Sequence, residues 1–433
     1  MRSRPHYKCV GIGAGPANLS LASLLYTYPD LTNLFIEKKE HYGWHDDQLI
    51  PGTTLQVSLL KDLVSLADPA NRFSFLSYLH ARGRLYHFIN AQFESVPRAE
   101  FRNYMEWAAA SNQNVVLGQE ALSISFGRVF TVETTSQTVT ADNIVIGIGQ
   151  QPWVPPSARL CGTQFHVSDF MSRAKMLHGR RVVVVGGGQS GAEAFLELIS
   201  RPAAELPRRV SWISRRANYF PLDNSPFSND YFMPCYSDHF STLERNVREA
   251  FNARHALLSD GIAEATLRAI YQRIYVLRFI HGAEDLVGLY PNREVTGVTQ
   301  GCGAGWDVIT AHNDRSGEPE VIEGDVIVWA TGFRSAPMDF LAPIAARLEW
   351  EGCEYKIDSS FAVTWDGPPD RNVFIQNAAR QQRGLADPNL SLVAWRSQRI
   401  LDRLRGVRTG QQVPSFIEWP VKSPASGHGG GMA

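Results

Sequence analysis

The stretch Tyr7-Lys-Cys-Val-Gly-Ile-Gly-Ala-Gly-Pro-Ala-Asn-Leu-Ser20 decides how the rest of the chain is read. A short apolar run ends in glycines, and the helix-compatible segment Leu19–Tyr26 follows at once. Strand, turn and helix in that order are the context in which a glycine fingerprint binds a dinucleotide. Gly13 supplies the tight turn, and Gly15 lets backbone N–H groups approach a pyrophosphate at a helix N-terminus. Asn18 stands where the third glycine would be, so the spacing pattern is incomplete. Glu37 closes the next apolar strand, Leu34-Phe-Ile-Glu37. It lies about 20 residues beyond the glycines, where an acid accepts hydrogen bonds from an adenosine ribose. A glycine-rich turn with no ligand is the other reading, and the acid at this distance favours the dinucleotide.

The chain has 433 residues, enough for two or three domains. Hydrophobic residues at 44% and charged residues at 20% fit an ordinary globular protein. A net charge of −1 gives no electrostatic reason to expect nucleic acid or an acidic membrane as partner. The cysteines at 9, 161, 235, 302 and 353 are scattered and odd in number, with no CxxC or metal-ligand spacing. Reduced thiols in a cytoplasmic setting are therefore expected, with no metal. Pro5-His-Tyr-Lys8 interrupts any signal-peptide apolar core, and no apolar run approaches the roughly 20 residues of a membrane span. The glycine-rich end, 421–433, is expected to be disordered.

A second core starts at Arg181-Val-Val-Val-Val-Gly-Gly-Gly-Gln-Ser-Gly-Ala-Glu193. Gly186, Gly188 and Gly191 complete GxGxxG after four valines, a fuller fingerprint than the first. The next strand, Val210–Ser214, delivers Arg215 and Arg216 where a NAD site would present an acid. Arginine there suits a ribose 2′-phosphate, whose oxygens match the guanidinium fork; a solvated basic pair is the other reading. Two dinucleotide sites, the second suited to NADPH, imply a redox enzyme with a bound flavin. The expected fold is α/β, with two Rossmann-like three-layer domains and a helical substrate-binding insert. Its boundaries are read as 1–165 plus 325–420 for FAD, 166–216 plus 301–324 for NADPH, and 217–300 for the insert. Within the insert, Leu243–His255 and Glu264–Leu277 read as helices. The sheet is expected to resume at Asp307-Val-Ile-Thr310, and the strand ending Ala330-Thr-Gly-Phe333 is read as a return crossing to the first domain.

Together these residues resemble the siderophore N-hydroxylating flavin monooxygenases, the L-lysine N6-monooxygenase and L-ornithine N5-oxygenase family, especially its lysine branch. The resemblance runs from about Tyr7 to Trp419. It is carried by Gly13–Ser20, Leu55-Gln-Val-Ser-Leu-Leu-Lys-Asp-Leu63, Val184–Gly191, Ser225-Pro-Phe-Ser-Asn-Asp230, Ala330-Thr-Gly-Phe333 and Leu390-Ser-Leu-Val-Ala-Trp-Arg396. Asn18 in the third glycine position is normal in this family. Gly162, His166 and Phe170 also keep a G-xxx-H-xxx-F spacing seen in related flavin monooxygenases, with Leu160 where that pattern has Phe.

The resemblance implies FAD and NADPH as cofactors and O₂ as co-substrate, with a C4a-hydroperoxyflavin that hydroxylates a primary amine. The protein's share is positioning and exclusion of water. It implies cofactor contacts from Gly13, Gly15, Pro16, Asn18, Glu37, Trp44, His45 and Gln56 on one side. On the other it implies Gly186, Gly188, Gln189, Ser190, Gly191, Arg215, Arg216, Ala330, Thr331, Gly332 and Leu390. Gln56 and Ser391 are expected at the reacting centre. Lys61 aligns with the lysine that pairs with a substrate carboxylate, and Asn229 with an asparagine that hydrogen-bonds substrate. From the residues alone, a surface lysine beside Asp62 is the first reading of Lys61. His255-Ala-Leu-Leu-Ser-Asp-Gly-Ile262 replaces the second asparagine motif of ornithine enzymes. That puts ornithine third as substrate, and the retained Lys61 places L-lysine ahead of cadaverine or putrescine. A homo-oligomer, dimer or tetramer, is what relatives suggest. A disulfide reductase would need a cysteine pair near the flavin, and a Baeyer–Villiger enzyme has only the His166 spacing in its support.

Overall fold

The computed structural model describes residues 4–301, 305–409 and 413–419. The expected disordered tail, 421–433, and Cys302 lie outside the described residues. Two sheets grow from the two fingerprints, the first mixed and the second parallel. The first has the order Val115–Val116, Asn33–Ile36, His6–Ile12, Thr138–Ile146, Phe130–Thr134, Ala121–Phe126. Its first four strands are parallel neighbours, and the last two return as an antiparallel meander. Thr138–Ile146 is long enough to serve two partners on one edge. Its first half pairs with Phe130–Thr134, and its end pairs parallel with Val373–Ile375 from late in the chain.

The second sheet runs Val287–Tyr290, Arg209–Ile213, Arg181–Val185, Val326–Trp329, Gln164–His166, and is parallel throughout. Val182, Val183, Val184 and Val185 are all buried, because helices and a small sheet cover both faces. The helix Gln189–Ser200 packs Phe195 and Leu198 against one of those faces.

Several element assignments differ from the sequence expectation. Asp307–Thr310 does not rejoin the second sheet. It lies in Trp306–His312, the centre of a separate antiparallel sheet with Arg293–Gln300 and Glu320–Gly324. Val308 and Thr310 are buried while their neighbours are more open, the alternation of a strand with one covered face. Val326–Trp329 and the first two residues of Gln164–His166, read as the first domain, belong to strands of the second sheet. Val287–Tyr290, read as part of a helical insert, is that sheet's edge.

The insert's helices also divide. Glu264–Tyr275 packs Ile270, with Leu277 beyond its end, into the core that holds Phe195 and Leu198. Phe232 and Leu258 instead pack on Leu385, Ala386 and Leu392, from the closing part of the chain. An apolar stripe shows that a face is covered; it does not show by what. Among the described residues, no helix is long and apolar enough to cross a membrane.

Candidate active site

The first fingerprint forms the head of a cleft of about 1250 Å³. Gly13 has φ 87°, and a Cβ there would stand 2.6 Å from the Gly147 carbonyl oxygen, so no other residue fits without movement. Gly15 caps the helix Pro16–Leu25, and a Cβ on it would meet only that same oxygen, at 3.9 Å. Its missing side chain therefore leaves the helix N-terminus open to the cleft. Glu37 accepts from Ala14 N–H at 3.0 Å through Oε2 and from Lys39 N–H at 3.1 Å through Oε1, which fixes the carboxylate at the cleft wall.

Asn18 departs from the expected cofactor contact. It does not face the cleft but is completely buried. Its Nδ2 donates to the Ile12 and Gly13 carbonyls at 2.9 and 2.8 Å, and its Oδ1 accepts from Gln376 at 2.8 Å. A Cβ on Gly147 would lie 2.6 Å from this amide. The glycine absent from the helix is thus found just after the facing strand Thr138–Ile146, and Asn18 supports the turn from beneath.

Trp44 and His45 both line the cleft. His45 has φ 53°, packs edge-on to Trp44 and lies 6.4 Å from the Phe333 ring. Burial, then the nearby Arg98 cation, pushes its pKa down to about 4. The ring is therefore neutral at physiological pH, and with Nδ1 donating to Gln48 Oε1 at 3.0 Å its Nε2 is left as an acceptor. Tyr42 Oη and Gln48 Nε2 are buried in the same wall with no hydrogen-bond partner among the described residues. Buried orphan polar groups beside a large cleft are what a polar ring system such as a flavin would satisfy. Glycine turn, acid and orphan groups all fit FAD.

The second fingerprint is tighter. A Cβ on Gly186 would lie 2.0 Å from the Ala330 carbonyl oxygen, and one on Gly191 would lie 2.2 Å from the Gly186 carbonyl oxygen. Gly188 caps the helix Gln189–Ser200 and is open, its nearest neighbour being the Asp260 carbonyl oxygen at 3.7 Å. Ser190 follows in the first helical turn. Arg215 is exposed, whereas Arg216 donates to the carbonyls of Gly187 at 3.1 Å and Asp260 at 2.8 Å, across the turn. An open N-terminus with two arginines at the next strand fits a dinucleotide phosphate.

Ala330, Thr331 and Gly332 contact protein, not the cleft. Ala330 closes the second glycine turn, Thr331 Oγ1 donates to Trp153 O at 2.6 Å, and Gly332 O lies 3.0 Å from His166 Nε2. His166 Nδ1 accepts from Ser168 N–H, so Nε2 carries the proton. The triplet buttresses the turn, and Phe333 after it reaches the cleft.

Lys61 and Ser391 meet across 330 residues of sequence, Nζ donating to Oγ at 2.9 Å. Asp62 does not pair with Lys61. Its buried carboxylate accepts from the N–H groups of Val64, Ser65 and Phe75. Burial lowers the Lys61 pKa. Ser391 donates its own proton to Asn389 Oδ1 at 2.8 Å, and Asn389 and Leu390 line the cleft. Gln56 donates to Gln189 Oε1 at 3.0 Å, joining the two fingerprint halves. Asn229 is exposed and donates to Asn224, with no contact to Lys61 or Ser391.

Tyr42, Gln48, Asn377 and Asn389 also line the cleft, and no sequence motif marks them. Asn377, with φ 61°, sits after a strand with no spacing that marks it. Tyr42 and Gln48 lie in a loop whose polarity was legible and whose direction was not.

Two glycine fingerprints, each at the end of a strand with parallel neighbours, an acid after the first and arginines after the second, define a two-dinucleotide oxidoreductase. The family model described as L-lysine 6-monooxygenase/L-ornithine 5-monooxygenase matches residues 5–335, and the chain belongs to that family of monooxygenases. It is 36% identical over 417 residues to the L-lysine N6-monooxygenase of Escherichia coli, covering 95% of this chain and 97% of that protein. DfoA of Erwinia amylovora, a cadaverine monooxygenase of desferrioxamine biosynthesis solved with FAD, superimposes with TM-score 0.91 at 26% identity, covering 96% and 99% of the two chains. The ornithine N-hydroxylase KtzI of Kutzneria sp. 744, solved with reduced FAD, NADP⁺ and L-ornithine, gives 0.85 at 30% identity, covering 93% and 99%.

Proposed function

We propose that the chain N-hydroxylates the terminal primary amine of L-lysine, with FAD and NADPH, for hydroxamate siderophore biosynthesis. The overall change is amine, O₂, NADPH and a proton to hydroxylamine, water and NADP⁺. FAD, once reduced by NADPH, supplies the activation of O₂. The observation that carries the substrate reading is the Lys61 ammonium, turned inward onto Ser391 beside the cleft. An inward cation offers the substrate carboxylate a charged partner and leaves the far amine to reach into the cleft. Because the Ser391 hydroxyl proton is held by Asn389, Ser391 presents only lone pairs to what approaches it. It therefore accepts from an ammonium or amine and does not compete for the carboxylate.

The reacting amine must be neutral, whereas a free lysine side chain has a pKa of about 10.4. Burial in the cleft disfavours the charged form and lowers that value. A neutral His45 keeps a second positive charge from the same wall. A diamine is the second reading, and one observation favours it. Burial already lowers the Lys61 pKa, the direction that weakens its repulsion of a second ammonium.

The test is hydroxylamine formation with NADPH and added FAD from L-lysine, L-ornithine, cadaverine and putrescine in parallel. Product from lysine alone supports the first reading, and product from the diamines but not lysine replaces it with the second. NADPH oxidation without hydroxylamine from any of the four overturns both.

A further inference from the structure

We propose that the Arg98–Glu193 ion pair is a positioning device. It sets the angle between the FAD-side and NADPH-side halves and thereby the meeting of the two cofactors, an inference that rests on the two-cofactor reading above. Glu193 lies in the helix Gln189–Ser200 of the second fingerprint, with only 7% of its surface exposed. Arg98 begins the helix Arg98–Ala110, whose Phe101, Tyr104 and Met105 lie in the core beneath the first fingerprint. The guanidinium meets the carboxylate as a fork, Nη1 to Oε2 at 2.9 Å and Nη2 to Oε1 at 2.7 Å. A two-point, planar contact fixes orientation as well as distance.

The pair is the centre of a longer connection. Arg98 Nη1 also reaches the Gln48 carbonyl at 3.4 Å, and Gln48 holds His45 in the cleft wall. On the other side Gln189 Nε2 donates to Glu193 Oε1 at 2.9 Å and lies 3.3 Å from Thr266 Oγ1. Gln189 Oε1 accepts from Gln56 at 3.0 Å and from Ala263 N–H at 2.7 Å. The N-terminal turns of the second fingerprint helix are thus tied to the first half at two places, Arg98 and Gln56. Two ties prevent a swivel that one would allow. A buried ion pair contributes little net stability compared with apolar residues of the same size. Its effect here is on geometry. Hydride transfer needs reacting atoms about 3–3.5 Å apart, and an error of about 1 Å costs on the order of 100-fold in rate.

The test compares the wild type with Glu193→Gln and with the double variant Arg98→Met/Glu193→Leu, which removes both charges together. In flavin-free protein, amide hydrogen exchange is followed over 46–56 and 261–266. In the FAD-loaded protein, flavin reduction is followed anaerobically against NADPH concentration, one hydride passing from NADPH and one solvent proton completing the reduced flavin. The expected result is faster exchange in both segments and a limiting reduction rate lowered about tenfold or more, with the half-saturating NADPH concentration within about twofold of wild type. Unchanged exchange in either segment, or a limiting rate within about twofold of wild type, overturns the proposal. If the double variant does not accumulate, Glu193→Gln is judged by the same criteria. A wild type that reduces its flavin with NADPH but yields no hydroxylamine would overturn the substrate reading and leave this one standing. A wild type that NADPH does not reduce would overturn the two-cofactor reading itself.

Discussion

At the scale of single residues, Lys61 and Gly13 make opposite kinds of prediction. Lys61 donates to Ser391 and forms no ion pair with a buried acid among the described residues, so its removal leaves no such acid unpaired there. Lys61→Ala is expected to raise KM for L-lysine about tenfold or more, with kcat at saturation little changed, as when binding common to ground and transition states is lost. Steady-state hydroxylamine kinetics check this; an unchanged KM removes the carboxylate role. Gly13→Ala acts through shape. The new Cβ would sit 2.6 Å from Gly147 O at φ 87°, a strain of about 1–3 kcal/mol before any clash. FAD retained after gel filtration is expected to fall sharply, whereas Gly188→Ala, whose Cβ has 3.7 Å of room, is expected to keep the fold and lose mainly affinity for NADPH.

At the scale of elements, the short hairpin Trp350–Glu351 and Glu354–Tyr355 carries a titrating group that the active site does not use. The Glu354 carboxylate accepts from Gln381 N–H at 3.0 and 3.1 Å, but burial dominates and raises its pKa from 4.5 to about 7. Folding therefore favours its protonated form, and the stability it contributes is lost as pH rises from 4.5 through about 7. His45 has the opposite sign. Its folded pKa is lowered from 6.5 to about 4, so its contribution is present above 6.5 and lost as pH falls toward 4. The Tm of Glu354→Gln relative to wild type is expected to climb between pH 5 and pH 8. A difference that stays constant across that range would remove the titration.

At the scale of the whole molecule, activity and binding depend on pH through different groups. The neutral fraction of a substrate amine with pKa of about 10.4 rises tenfold per pH unit below that value. Hydroxylation is thus expected to rise from pH 6 to pH 9, and a flat profile for that step would remove the requirement for a neutral amine. Lys61, with its pKa lowered by burial, loses its charge earlier on the same climb. KM for L-lysine is therefore expected to worsen at the alkaline end, while KM for cadaverine is not; parallel changes in both would show that Lys61 does not read the carboxylate.

Both glycine turns, the acid at Glu37, the arginines at 215 and 216 and the valine strand Val182–Val185 are legible in the order of residues alone. Each is a local property: a backbone angle that favours glycine, a period of hydrophobicity, or a fixed offset along one strand–turn–helix unit. The packing of distant segments decided that Asn18 and Ala330–Gly332 support the turns from behind instead of lining the cleft. It also decided that Asp307–Thr310 belongs to a third sheet, and that Lys61 turns toward Ser391 and away from Asp62. Arg98 and Glu193 were plain charged residues in sequence, 95 positions apart. Partners brought together from such distances leave no spacing to read, because what joins them is the packing of whole sheets and helices.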